Sequence, residues 1–233
     1  MKMDIYSIHR MSKSYIAENR NAIEYKEIYA LKNIDFTIKN KESVCIMGGS
    51  GSGKTTLLKM LGGMMMPSEG RICYKGLNLY QYSSQELEEY RRTQVGFVFQ
   101  DYKLLDNLRV EDNIMLPLMI NHQEINTSLK RVREMSEILE IEDKLSCYPY
   151  ELSGGQQQRV AICRALMNNP QVILADEPTG NLDKASSKVV LELLLSIKEK
   201  FDKTLIMVTH SEAVGEYCDR TIEIQQGEII VNK

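Results

Sequence analysis

Gly48-Gly49-Ser50-Gly51-Ser52-Gly53-Lys54-Thr55 places glycines, hydroxyls and one lysine in the spacing G-x-x-x-x-G-K-[ST]. That combination suits a polyphosphate. Backbone N–H groups at the start of a helix can hold several negative charges at once, and side chains would obstruct the approach, so glycines line the loop. Lys54 adds a point charge for the β and γ oxygens, Thr55 offers a hydroxyl to Mg2+, and Thr56 opens the helical stretch that follows. Gly49 stands where many such loops carry proline, a change expected to be tolerated. The loop alone says only that a nucleoside triphosphate is bound.

Two further positions specify the reaction. The apolar run Val172-Ile173-Leu174-Ala175 ends in Asp176-Glu177. An acid at the end of a buried strand beside a phosphate loop can hold Mg2+, assigned here to Asp176, and a second carboxylate can orient or deprotonate a water for in-line attack on the γ-phosphate, assigned to Glu177. The plain alternative for Glu177 is a solvated strand-end carboxylate. His210 follows another apolar run, Thr204 to Val208, and is placed to meet the γ-phosphate and the water, although a lone histidine is more often structural. Leu152-Ser153-Gly154-Gly155-Gln156 supplies a second feature of the same physical kind: Ser153 reads as an N-cap before two glycines and a helix, which builds another anion site at a helix N-terminus.

The elements that must carry these residues follow from periodicity. Ser43 to Met47, Val172 to Ala175 and Thr204 to Val208 are continuous apolar runs, the signature of strands buried on both faces in a parallel sheet. Helical patterns follow each, over Thr56 to Leu61, Ser186 to Lys200 and Glu212 to Tyr217, so the class is α/β. Tyr29 to Lys39 alternates, and with Gly70 to Tyr74 it predicts an antiparallel N-terminal β layer. Glu86 to Arg92, Ser128 to Leu139 and Gln156 to Met167 predict a helical insertion from roughly 86 to 168. The expected organisation is one domain over 1–233, with a catalytic core and β layer from about 1–85 and 169–233 and a helical subdomain from about 86–168.

Composition narrows the partners. The 233 residues carry 29 basic and 32 acidic side chains, net −3, which argues against holding nucleic acid through its phosphates. The start lacks the apolar stretch of a signal peptide, and no run approaches the roughly 18 apolar residues that span a bilayer. Five scattered cysteines without a C-x-x-C pair suggest neither a disulfide framework nor a zinc site. Met64-Met65-Met66-Pro67 reads as a filler of an irregular loop, with a partner-binding role as the alternative.

With Leu152 to Gln156 lying between the phosphate loop and Asp176-Glu177, and followed by Gln157-Gln158-Arg159-Val160-Ala161-Ile162, the sequence resembles the ATP-binding cassette (ABC) ATPases over about residues 4 to 231. The resemblance implies a P-loop cassette fold with a mainly parallel core sheet. It also implies ATP and Mg2+ as ligands, and a head-to-tail dimer in which Ser153, Gly154, Gly155 and Gln156 close over ATP bound by the second copy. Gln100 matches a glutamine that reaches Mg2+ and the water, Gly180-Asn181-Leu182-Asp183 a loop that senses the opposite site, His210 a switch histidine, and Tyr15 an aromatic that stacks on adenine. For Tyr15, a merely structural place is the alternative. A separate integral-membrane permease is expected to dock near Gln100 to Asn121, with Tyr102, Leu104, Leu105 and Leu108 as contacts, which places the chain at the cytoplasmic face of the membrane. Phe97 to Leu105, Leu152 to Arg164 and Leu174 to Asp183 look like the lipoprotein-releasing, macrolide-exporting and bacitracin or antimicrobial-peptide-resistance group, within which Gln100 to Asp106, Asn113 to Leu118 and Tyr217 to Arg220 look most like the antimicrobial-peptide branch. Other readings are a cell-division or wall-hydrolase-regulating ABC ATPase with the same motor, and an ABC ATPase acting on DNA or ribosomes. The last is disfavoured because the span from Lys54 to Ser153 lacks sustained heptads.

Overall fold

The computed structural model describes residues 3–18 and 25–233. In chain order the elements are β1 (Asp4–Glu18), β2 (Tyr25–Lys39), β3 (Ser43–Met47), α1 (Lys54–Leu61), β4 (Glu69–Tyr74), β5 (Leu77–Asn78), α2 (Ser84–Thr93), β6 (Val95–Val98), α3 (Val110–Ile120), α4 (Ile125–Ile138), α5 (Gly154–Leu166), β7 (Val172–Asp176), α6 (Lys184–Lys200), β8 (Thr204–Thr209), α7 (Glu212–Gly215), β9 (Arg220–Gln225) and β10 (Glu228–Asn232). They form two compact units, Met1–Glu88 with Val208–Lys233, and Glu89–Met207.

The first unit contains the expected antiparallel layer, with strand order β2-β1-β4-β5. Alternation explains its buried face: Tyr6, Ile8 and Met11 of β1 and Leu31, Ile34, Phe36 and Ile38 of β2 are buried. The pairing is irregular. Register shifts between Ile8 and Lys13 accompany left-handed Arg10 (φ 45°) and Asn33 (φ 48°), and the freed amides are satisfied locally, Asn33 N donating to Ser12 Oγ at 3.1 Å and Arg10 N to Asp35 Oδ1 at 3.0 Å. In the same unit β3 pairs with β9 in parallel, Val44 opposite Arg220 and Met47 opposite Glu223, and β9 pairs with β10 antiparallel. Asp219 Oδ2 fixes the start of β3 by accepting from Ser43 N at 2.8 Å and Ser43 Oγ at 2.9 Å.

The second unit is built on the parallel pair β6 and β7, with Val95 opposite Val172 and Val98 opposite Ala175, and β8 flanks β7. Helix α5 is the hub, its Val160, Ala161, Ile162, Cys163 and Leu166 all buried and α3, α4 and α6 packed on it. Gly96 lets β6 approach α5, because a Cβ there would collide with the Ala165 carbonyl oxygen. Strand β6 interrupts the span that periodicity reads as helical, and α3 continues through Pro117, whose carbonyl accepts from Asn168 Nδ2 at 3.2 Å.

Candidate nucleotide-binding site

The phosphate loop joins β3 to α1, and its glycines answer two separate demands. At Gly48 (φ 149°) a Cβ would collide with the Ile224 carbonyl and stand 2.7 Å from Ser52 Oγ, and at Gly53 (φ 102°) it would collide with the Ala30 carbonyl. Gly51 (φ 75°) has open space around it and is required only by its backbone. Gly49 has neither constraint, with nothing within 4 Å of a Cβ. Gly53 is the N-cap of α1 and offers no side-chain cap, so the first N–H groups of the helix stay directed into the loop. Lys54 is 6% exposed, and its Nζ donates to Gly48 O and Gly49 O at 2.8 Å each. Ser52 Oγ is buried without a hydrogen-bond partner among the described residues.

Beside the loop, His210 lines a cleft of about 600 Å³ with Met47, Gly48, Gly49, Thr221 and Glu223. Tyr15 lies on β1, 45% exposed, its hydroxyl donating to Met65 Sδ at 3.2 Å and Lys13 Nζ standing 5.4 Å from the ring centre. Met65 is itself held, because Tyr80 Oη donates to Met60 O and Met65 O. The methionine run thus forms a shaped loop under an exposed tyrosine face.

In the second unit the register of β6 and β7 explains why Gln100 and Asp176-Glu177 share one sheet edge: Val98 lies opposite Ala175, and both chains leave the sheet there. Glu177 adopts φ 44°, a conformation non-glycine residues avoid. A Cβ at Gly180 would lie 3.1 Å from Gln100 Nε2 and 3.2 Å from Glu177 Oε2, so both side chains converge on that glycine. Asn181 meets Gln100 from the same loop, Nδ2 donating to Gln100 O at 3.0 Å and Oδ1 accepting from Gln100 Nε2 at 3.4 Å.

Ser153 is the N-cap of α5 in a reciprocal box, its Oγ accepting from Gln156 N at 3.4 Å while its N donates to Gln156 Oε1 at 2.9 Å. Gly154 lies under Tyr102 and Leu182, which would stand 3.0 Å (Oη) and 3.2 Å (Cδ2) from a Cβ, and Gly155 faces Ser186. Asp183 caps α6, accepting from Ala185 N (2.9 Å), Ser186 N (3.0 Å) and Ser186 Oγ (2.6 Å); the Ser186 hydroxyl first, then the amides, hold its carboxyl below the ordinary carboxylate value. Motif spacing and periodicity carry no signal for two members of this group. Arg164, whose guanidinium is burdened by burial, donates to Tyr102 O at 2.7 Å and Lys103 O at 2.6 Å. Asn113, fully buried, accepts from Leu105 N at 2.8 Å and donates to Leu105 O, Leu108 O and Arg109 O.

The residues present fit a nucleotide with a hard cation. The glycine cradle and the orphaned Ser52 Oγ are suited to phosphate oxygens. Within the second unit Asp176 and Gln100 offer carboxylate and amide oxygens, and within the first Thr55 offers a hydroxyl, each an oxygen of the kind Mg2+ takes.

The family model described as ABC transporter matches residues 31–180. The chain is 40% identical over 225 residues to the uncharacterized ABC transporter ATP-binding protein YvcR of Bacillus subtilis (strain 168), covering 97% of this chain and 85% of that protein. It is 43% identical over 202 residues to the bacitracin export ATP-binding protein BceA of Halalkalibacterium halodurans, covering 85% and 79%. The dimeric structure of MJ0796 from Methanocaldococcus jannaschii, a bacterial ABC transporter cassette by its description, superposes with a TM-score of 0.87 at 37% identity over 98% of this chain and 97% of that one. A second dimeric structure of MJ0796 captures a post-hydrolysis state bound to ADP and Pi with the same scores. The phosphate loop, the capped Ser153 helix and these likenesses together make the chain a member of the ABC transporter ATP-binding family.

Proposed function

We propose that this chain is the ATP-hydrolysing subunit of a bacterial ABC transporter, working as a head-to-tail dimer and driving a separate permease. The observation that carries this reading is the cradle at Gly48 to Thr55, where close backbone approach at two glycines and a buried, unpartnered Ser52 hydroxyl leave the loop's hydrogen-bonding capacity directed at a polyphosphate. Loop N–H groups and Lys54 hold the phosphates, and the exposed face of Tyr15 stacks on adenine. Bound Mg2+ would neutralise charge on the β and γ oxygens, with Thr55, Asp176 and Gln100 as its protein oxygens. Glu177 accepts the proton of the attacking water, and His210 steadies the water and the γ-phosphate. The capped N-terminus of α5, with Ser153, Gly154, Gly155 and Gln156, binds the γ-phosphate held by the second copy, and Asp183 lies in the loop that meets that copy.

The permease docks on the segment 100–121, where Leu105, Met119 and Ile120 are exposed by 46%, 57% and 62% and Tyr102, Leu104 and Leu108 are half-buried. No helix among the described residues is long and apolar enough to cross a membrane, so attachment to the cytoplasmic face runs through that partner. Similarity to the bacitracin export protein supports an antimicrobial-peptide-resistance or export role within the group that also releases lipoproteins. The test is Mg2+-dependent ATP hydrolysis by the purified chain, abolished in Lys54→Ala, together with co-purification of a multi-span permease. A chain that hydrolyses no ATP, alone or with that partner, would refute the assignment.

A further inference from the structure

The two contacts between Asn181 and Gln100 fix more than a distance. A backbone carbonyl oxygen only accepts hydrogen bonds, so the Asn181 atom 3.0 Å from Gln100 O is its NH2 group. The other Asn181 terminal atom is then its oxygen, which also only accepts. Gln100 must therefore turn its own NH2 toward Asn181, at 3.4 Å. Gly180 leaves room for this orientation, since a Cβ there would lie 3.1 Å from the same Nε2.

An amide side chain has two ends of similar shape and opposite chemistry. With Nε2 committed to Asn181, Oε1 is the end turned the other way. A hard divalent cation takes oxygen and not amide nitrogen, so the flip state of Gln100 decides whether it presents a ligand or a repelling N–H. One net hydrogen bond biases such a choice by roughly fivefold.

We propose that Asn181 is a positioning residue, which sets the Gln100 amide so that its oxygen is presented to the Mg2+ that accompanies ATP. The proposal rests on the reading of Gln100 as a Mg2+ ligand. Asn181 and Gln100 are both exposed, and Asn181 precedes the capped helix α6 without belonging to it, so removing its amide leaves the packing of the unit intact.

The experiment uses the full chain with a non-hydrolysable ATP analogue and Mn2+ as the spectroscopic probe, its affinity read by electron paramagnetic resonance. Asn181→Ala should weaken Mn2+ binding by a little under about twofold, because an amide biased about fivefold is correctly turned roughly five times in six and an unbiased one half the time, and should have no further effect in a Gln100→Ala background. Analogue affinity measured in EDTA should be the same for wild type and all three variants. Full additivity of the two substitutions, wild-type Mn2+ affinity in Asn181→Ala, or an equal loss of analogue affinity in EDTA would each overturn the proposal. Wild-type Mn2+ affinity in Gln100→Ala would remove Gln100 as a ligand, and the role of Asn181 would fall with it.

Discussion

Arg164, in the last turn of α5, donates to the main-chain oxygen of Tyr102 at 2.7 Å, and its second terminal nitrogen reaches Lys103 O at 2.6 Å. Those two residues are left-handed, with φ of 59° and 49°, a conformation that costs about 1 kcal/mol each outside glycine. The turn after Gln100 is thus held in a strained shape by the far end of the helix whose near end is capped by Ser153.

Arg164→Ala should lower stability by about 3 kcal/mol, because two charge-assisted bonds are lost and two carbonyls lose their donors. Arg164→Lys should recover only part, since a single ammonium lacks the planar fork. Urea unfolding of the three proteins measures this, and equal midpoints would show that the turn holds itself.

Glu177→Gln should keep ATP binding while turnover falls by about 10²-fold or more, the usual worth of a positioned base. With ATP present the variant should accumulate as a dimer in light scattering. Turnover near wild type would remove Glu177 from the base role.

Gly48 and Gly49 should separate cleanly. Gly48→Ala forces a methyl group into the Ile224 carbonyl and should reduce ATP affinity at least about tenfold or lower stability by about 2 kcal/mol. Gly49→Ala meets open space and should stay within about 0.5 kcal/mol of wild type. Calorimetric ATP titration and thermal unfolding read both, and equal behaviour of the pair would contradict the loop geometry.

Asp183 sets a pH signature. Its folded-state carboxyl lies below the ordinary 3.8, so the cap's contribution is complete above that value and is lost as pH falls through the lower folded value. Asp183→Asn should therefore flatten the acid side of stability plotted from about pH 6 to pH 2, leaving its slope at neutral pH unchanged. Parallel acid limbs for the two proteins would show that the cap does not titrate in this way.

Much of this was legible because it is local. The five residues of β3 are bounded as their apolar run ends, and Ser153 caps α5 because serine before two glycines has few other uses at that spacing. What escaped the reading is either irregular or distant. In β1 the register shifts near Arg10 break the alternation that marks a strand, and β6 is four residues long between helices. Arg164 and the Tyr102 turn are 62 residues apart, Asn181 and Gln100 81, and nothing in periodicity pairs them. Asp183 reads as a sensor loop residue by resemblance, yet its carboxylate is also an ordinary helix cap.

The two carbonyl partners of Lys54 have a kinetic meaning. A cation already resting on Gly48 O and Gly49 O is a lever with two stops, since phosphate oxygens must outcompete those carbonyls to draw it forward and the carbonyls reclaim it as a nucleotide leaves. Under the proposed function each departing phosphate would be replaced from within the loop, so the buried charge of Lys54 would keep a partner. Under the same function, the carbonyls that compete with phosphate on entry would also receive the ammonium on release, and Lys54→Ala would remove both halves of that exchange.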